Sequence, residues 1–72
     1  MNDETYFVRV ELREAVLLKP NGAMVYRYSA RPGTTVVNAV VSGTGRDALV
    51  TINYSNGRTD VYRPNGAFVR GW

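Results

Sequence analysis

The sequence predicts an all-β fold: a small antiparallel meander of about five to seven short strands, forming a curled sheet or a small barrel. Three observations predict it. Apolar and polar residues alternate with period two at 5–12 and 49–63. Asn-Gly pairs at 21–22, 56–57 and 65–66 punctuate the chain at hairpin spacing. No stretch carries the 3.6-residue apolar period of a long amphipathic helix.

The first strand is read at "TYFVRVEL". Tyr6, Val8, Val10 and Leu12 point one way, and Phe7, Arg9 and Glu11 the other. "AVLL" at 15–18 continues it after a bend near Arg13 and Glu14. "KPNGA" at 19–23 interrupts, because proline offers no ladder N–H and glycine accepts positive φ. "AMVYRYS" then resumes a strand in which Tyr26 and Tyr28 share a face opposite Arg27, and "RPG" at 31–33 breaks the chain again. "TTVVNAVV" reads as a strand buried on both faces. The alternative for 34–42 is a short helix capped by Thr34 or Thr35 and stopped by Gly43. The β-branched residues favour the strand.

After the "SGTGRD" loop, residues 49–63 predict a hairpin. With Asn56 and Gly57 in a two-residue type I′ turn, Ser55 pairs with Arg58, Asn53 with Asp60, Ile52 with Val61 and Thr51 with Tyr62. Val50, Ile52, Tyr54 and Val61 then form a core face. Thr51, Asn53, Ser55, Arg58, Asp60 and Tyr62 form a wet one. The same turn in "RPNGA" at 63–67 sets Arg63 opposite Phe68, as "KPNGA" sets Lys19 opposite Met24.

Seventy-two residues form one domain, 1–72, with 1–4 expected as a disordered tail. A domain this small buries only roughly 60% of its unfolded surface. With no cysteine there is no disulfide, and without Cys or His the common structural zinc sites are excluded. The fold must rest on its own core or on a second copy, so a homo-oligomer is one expectation. No metal and no small-molecule cofactor are expected. The longest apolar run, 15–18, is too short to cross a bilayer, and "MNDET" lacks the features of a signal peptide. A cytoplasmic location is therefore expected, and "NYS" at 53–55 is read as a chance match to the glycosylation pattern.

Charge is uneven. Residues 1–14 carry two arginines against four carboxylates, and residues 15–72 carry seven basic residues against two, for a net +3. Eight of the nine basic residues are arginine, which grips phosphate and carboxylate in planar pairs and stacks on rings. GC-rich coding accounts for the same bias. "GTGRDA" at 43–48 matches a dinucleotide-binding pattern, yet strand sequence follows where that motif needs a helix. It reads as a flexible loop, with an anion nest near Arg46 as its one functional option.

Ser-His and Cys-His catalysis is excluded by composition. An Asp/Arg/Tyr ribonuclease-like site is the remaining enzymatic option, and nothing supplies a positioned base, so a non-enzyme is expected. Basic and aromatic residues interleave in "VYRYSAR", "VYR" and "FVRGW". Rings that stack on bases beside guanidinium groups that neutralise phosphates suit single-stranded DNA or RNA. The counter-reading is that a small core needs its aromatics, and Tyr54 is assigned there. The favoured contact residues are Arg58 and Tyr62, taken as the best exposed aromatic, then Arg27, Arg63, Arg70 and Trp72. The alternative is an inhibitor or adaptor of phage or mobile-element type that binds a host protein through the same residues or a sheet edge.

Overall fold

The computed structural model describes residues 5–72, so the tail expected at 1–4 lies outside the described residues. Seven strands follow in chain order: β1 (Phe7–Glu11), β2 (Glu14–Leu18), β3 (Met24–Ser29), β4 (Val36–Ser42), β5 (Leu49–Tyr54), β6 (Thr59–Tyr62) and β7 (Phe68–Gly71). A 3₁₀ turn, Gly45–Asp47, lies between β4 and β5. The strands form two antiparallel sheets, β1-β2-β3 and β4-β5-β6-β7, in which every strand pairs with its sequence neighbour. This is the expected meander. The sheets do not close into a barrel; β1 lies beside β4, and the Val36 N–H donates to the Leu12 carbonyl at 2.9 Å. Among the described residues no helix is long and apolar enough to cross a membrane.

The two sheets share one core. Ala15, Leu17 and Tyr28 come from the first sheet and Val36, Val50, Ile52 and Tyr54 from the second. In β5 alternate residues are buried, as its period-two pattern requires. Leu17 and Ile52 are fully buried, and each such side chain contributes about 1.5–3 kcal/mol by leaving water. Residues 36–42 are strand rather than helix, consistent with their valines.

The chain between β1 and β2 does not bend but reverses: Glu11 pairs with Glu14 around Leu12 and Arg13. Leu12 therefore sits at a turn, 70% exposed, and not on the core face. Val8 and Leu17 meet across the strands on that face, and Val16 is paired with Arg9 and Arg27 on the other. Arg9 binds Glu11 at 2.9 Å and Arg27 binds Glu14 at 3.3 Å.

The larger correction concerns the Asn-Gly turns. All three are three-residue loops, not two-residue ones. Gly22, Gly57 and Gly66 donate to the carbonyls of Lys19, Tyr54 and Arg63, and each glycine has φ near +90°. No residue other than glycine has positive φ among the described residues, so the asparagines cannot be in a type I′ turn. The geometry is a type I turn followed by a left-handed glycine that forms a bulge. In each loop the Asn side-chain oxygen accepts the N–H two residues on, at 2.9–3.0 Å. Pro20 and Pro64 suit this geometry, since a φ near about −65° is what the first central position of a type I turn takes, and proline has no N–H to close the two-residue alternative.

One extra loop residue shifts each register by one. Ile52 faces Asp60, Thr51 faces Val61 and Val50 faces Tyr62. Leu18, not Lys19, faces Met24, and Tyr62, not Arg63, faces Phe68. Asp60 and Tyr62 turn inward, whereas Thr59 and Val61 move to the opposite face.

Candidate nucleic-acid interface

Residues 58, 60 and 62 share one face of β6 and its entry, and the corrected register directs that face at the core. Asp60 is completely buried. An isolated carboxylate there would be very unfavourable, and the fold surrounds it with donors. Arg58 Nε lies 2.9 Å from Oδ1, Arg31 Nε lies 2.9 Å from Oδ2, and the Tyr62 hydroxyl donates to Oδ2 at 3.3 Å. Arg31 arrives from the turn after β3, where Thr34 N–H and hydroxyl both donate to its carbonyl. Gly71, paired with Asp60, leaves the necessary space: a Cβ there would sit 2.5 Å from Oδ1.

Burial alone would raise the Asp60 pKa, but the hydrogen bond and charge of Arg31, with Arg58 and the Tyr62 hydroxyl, hold it below the ordinary value. Its hydrogen bond to Asp60 raises the Arg31 pKa in turn. Burial pushes up Tyr28, Tyr54 and Tyr62, with neighbouring tyrosines adding to the rise of the first two and Asp60 to that of the last two. The Tyr54 hydroxyl is buried and makes no hydrogen bond among the described residues. A sealed carboxylate held ionised by two guanidinium groups is poorly suited to accept a substrate proton. Its role here is to tie the β6 strand to the turn at residue 31.

A row of rings joins the two sheets. Tyr26, Tyr28, Tyr62 and Phe68 follow one another at centroid distances of 4.8, 5.0 and 5.7 Å. The Tyr28 hydroxyl donates to the Arg63 carbonyl at 2.7 Å. Tyr62 is thus half-buried between rings, not the exposed platform that the two-residue turn implied.

The opposite face of the β4–β7 sheet exposes Val40, Arg70 and Trp72, while Val61 and Thr59 within it are buried. Cross-strand pairing aligns Val40, Thr51, Val61 and Arg70 in one row. The next row holds Asn38, Asn53, Thr59 and Trp72; Thr59 and Trp72 exchange backbone hydrogen bonds. Side chains link this second row: Thr59 hydroxyl donates to Asn53 Oδ1, and Asn53 Nδ2 donates to Asn38 Oδ1, both at 2.6 Å. Arg70 Cζ lies 5.7 Å from the centre of the Trp72 ring, and Trp72 is 64% exposed. Arg63 lies just beyond β6, in the turn to β7, and lines a cleft with Tyr6 and Val25.

The six sequence-derived contact residues therefore divide. Arg70 and Trp72 share the open sheet face, and Arg63 lies at the cleft. Arg58 and Tyr62 belong to the buried Asp60 cluster, and Arg27 is on the outer face of the other sheet, paired with Glu14. Arg46 was outside that set except through its glycine-rich loop, and it lines a cleft with Arg63. Comparison with known protein families, curated proteins and solved structures finds no match to this chain. Functional argument rests on the geometry of these side chains.

Proposed function

We propose that this protein is a non-catalytic binding module that docks single-stranded nucleic acid on the open face of the β4–β7 sheet. One observation carries the reading: Arg70 and Trp72 share that face, and Arg70 forms no ion pair among the described residues. A base stacks on the exposed Trp72 ring while Arg70, beside it, meets a phosphate. Exposed Asn38 and half-buried Asn53 offer amide groups to base edges without demanding one sequence. A chain without cysteine suits a reducing compartment, so the cytoplasm is the setting of this reading.

Fluorescence anisotropy with a short labelled oligonucleotide tests it. Two or three phosphate contacts give a single-strand salt slope of about −1.4 to −2, or roughly sevenfold to twentyfold weaker binding between about 50 and 200 mM salt. Trp72→Ala should weaken binding by roughly tenfold through lost stacking. Absence of saturable binding at low salt refutes the reading.

A second reading, protein docking by an inhibitor or adaptor of phage or mobile-element type, is favoured by a different observation. Edge strand β7 is exposed along its whole length, with Phe68 and Val69 among its exposed apolar residues. Such an edge can accept a partner's strand. A partner retained at high salt when oligonucleotides do not bind would favour it.

A further inference from the structure

An open cleft of about 580 Å³ lies at the end of the molecule where β1 and β3 begin. That is within the size range of small-ligand sites. Arg46 reaches it from the loop between β4 and β5, and Arg63 from the turn between β6 and β7. Tyr6, Val25 and Pro64 give the remaining wall an aromatic and apolar character. Among the described residues Asp47 is the one carboxylate of the lining.

The unpaired state of these arginines is what makes the cleft informative. Arg9, Arg27, Arg31 and Arg58 each hold a carboxylate within 3.3 Å. Among the described residues Arg46 and Arg63 hold none. Two guanidinium groups lining one cleft repel each other unless an anion bridges them. A phosphomonoester carries about −1.5 to −2 charges near neutral pH and presents several strong acceptor oxygens, which suits two planar donors. A phosphodiester carries a single charge and suits them less well.

We infer that this cleft binds a phosphomonoester attached to a planar base, with the phosphate held by Arg46 and Arg63 and the base against Tyr6 and Val25. That chemistry has two sources, a free nucleoside monophosphate or the phosphorylated end of a strand. The site does not depend on the sheet face: Arg46 is not part of that face, and a mononucleotide need not touch Trp72.

Nuclear magnetic resonance titration of the full chain with adenosine monophosphate, adenosine and a 5′-phosphorylated oligonucleotide tests the inference. Saturable shifts at Tyr6, Val25, Arg46 and Asn65 are expected with the nucleotide or the phosphorylated strand. Both identify the cleft, and the free nucleotide is the source if it suffices alone. Removing the phosphate should weaken binding at the cleft by about tenfold or more, as loss of charge-assisted hydrogen bonds implies. Arg46→Ala, an exposed loop substitution, should do the same while leaving the rest of the spectrum in place. The inference is overturned if neither phosphorylated ligand saturates these residues at millimolar concentration. Adenosine binding as well as its monophosphate, or an unaffected Arg46→Ala protein, overturns it too. The unphosphorylated oligonucleotide reports separately on the sheet face.

Discussion

Asp60→Asn is the sharpest test of the corrected register. The substitution keeps the shape of the side chain and removes its charge. In the native protein the carboxylate accepts bonds from Arg31 and Arg58, both at 2.9 Å, in a position with no solvent exposure. A hydrogen bond to a charged group contributes about 1.5–3 kcal/mol. The two arginine side chains are 43% and 37% exposed, so solvent offsets part of what each loses. The expected cost of Asp60→Asn is then about 2–4 kcal/mol, a large fraction of the stability of any small domain. For a domain of this size that lowers Tm by about 10 °C or more. Far-ultraviolet circular dichroism during heating at neutral pH measures it. The pH dependence follows from the direction of the shift. Because the folded-state pKa lies below the ordinary carboxylate value, the contribution is complete above about pH 4 and is lost as pH falls through the folded value. The gap between wild type and Asp60→Asn should therefore narrow in acid and not in alkali. An Asp60→Asn protein that melts within about 2 °C of wild type at neutral pH would refute the argument. It would mean that desolvation of the carboxylate cancels the tie.

Two buried tyrosines should respond oppositely to loss of their hydroxyls. Tyr28→Phe forfeits the bond to the Arg63 carbonyl and should cost about 0.5–1.5 kcal/mol, whereas Tyr54→Phe removes a buried hydroxyl without a partner and should leave stability unchanged or raised. Urea unfolding of both proteins checks the contrast, and equal losses would contradict it. Ser55→Pro should be destabilising although proline occupies the same turn position at Pro20 and Pro64. Ser55 N–H donates to the Thr35 carbonyl at 2.9 Å, and its hydroxyl oxygen accepts the Thr35 N–H at 3.0 Å. Losing both should outweigh the roughly 0.4–1 kcal/mol that a compatible proline contributes, so a raised urea midpoint would count against this account.

The strands were legible because period-two patterning and β-branched residues act locally, and this includes "TTVVNAVV", where helix was the competing reading. The registers were not read correctly, although the information was present. Proline at 20 and 64 is preset for the first central position of a type I turn, and the third loop, with Ser55 in proline's place, adopts the same geometry. A single residue of loop length then reversed the faces of Asp60 and Tyr62. That error propagated to the site. Arg58, Asp60 and Tyr62 are together, as their spacing requires, but they face inward. Pairings across long sequence separations left no local trace: Arg31 with Asp60 and Tyr28 with Arg63 depend on how the sheets meet. Arg70 and Trp72 were legible as candidates, yet the side of the sheet they occupy becomes apparent only from the corrected register.

The repeated turn shows how local and tertiary causes divide the work. "PNGAMV" and "PNGAFV" match beyond the turn: each is followed by a bulge at its valine, so Leu17 pairs with Tyr26 and Val61 with Arg70. Local sequence thus fixes the turn and the following register in both copies. The surroundings then assign different roles. Gly22 has open space around it, whereas Gly66 lies under the Tyr26 ring, where a Cβ would come within 2.2 Å of the ring. The Arg63 carbonyl at the start of that second turn accepts the Tyr28 hydroxyl. The "RPNGA" turn is therefore gripped by two tyrosines of β3, and it carries Arg63 to the cleft. A motif that looks like a binding signature acts here as a joint. Its contribution to binding is to hold Arg63 in a fixed place where the two sheets meet.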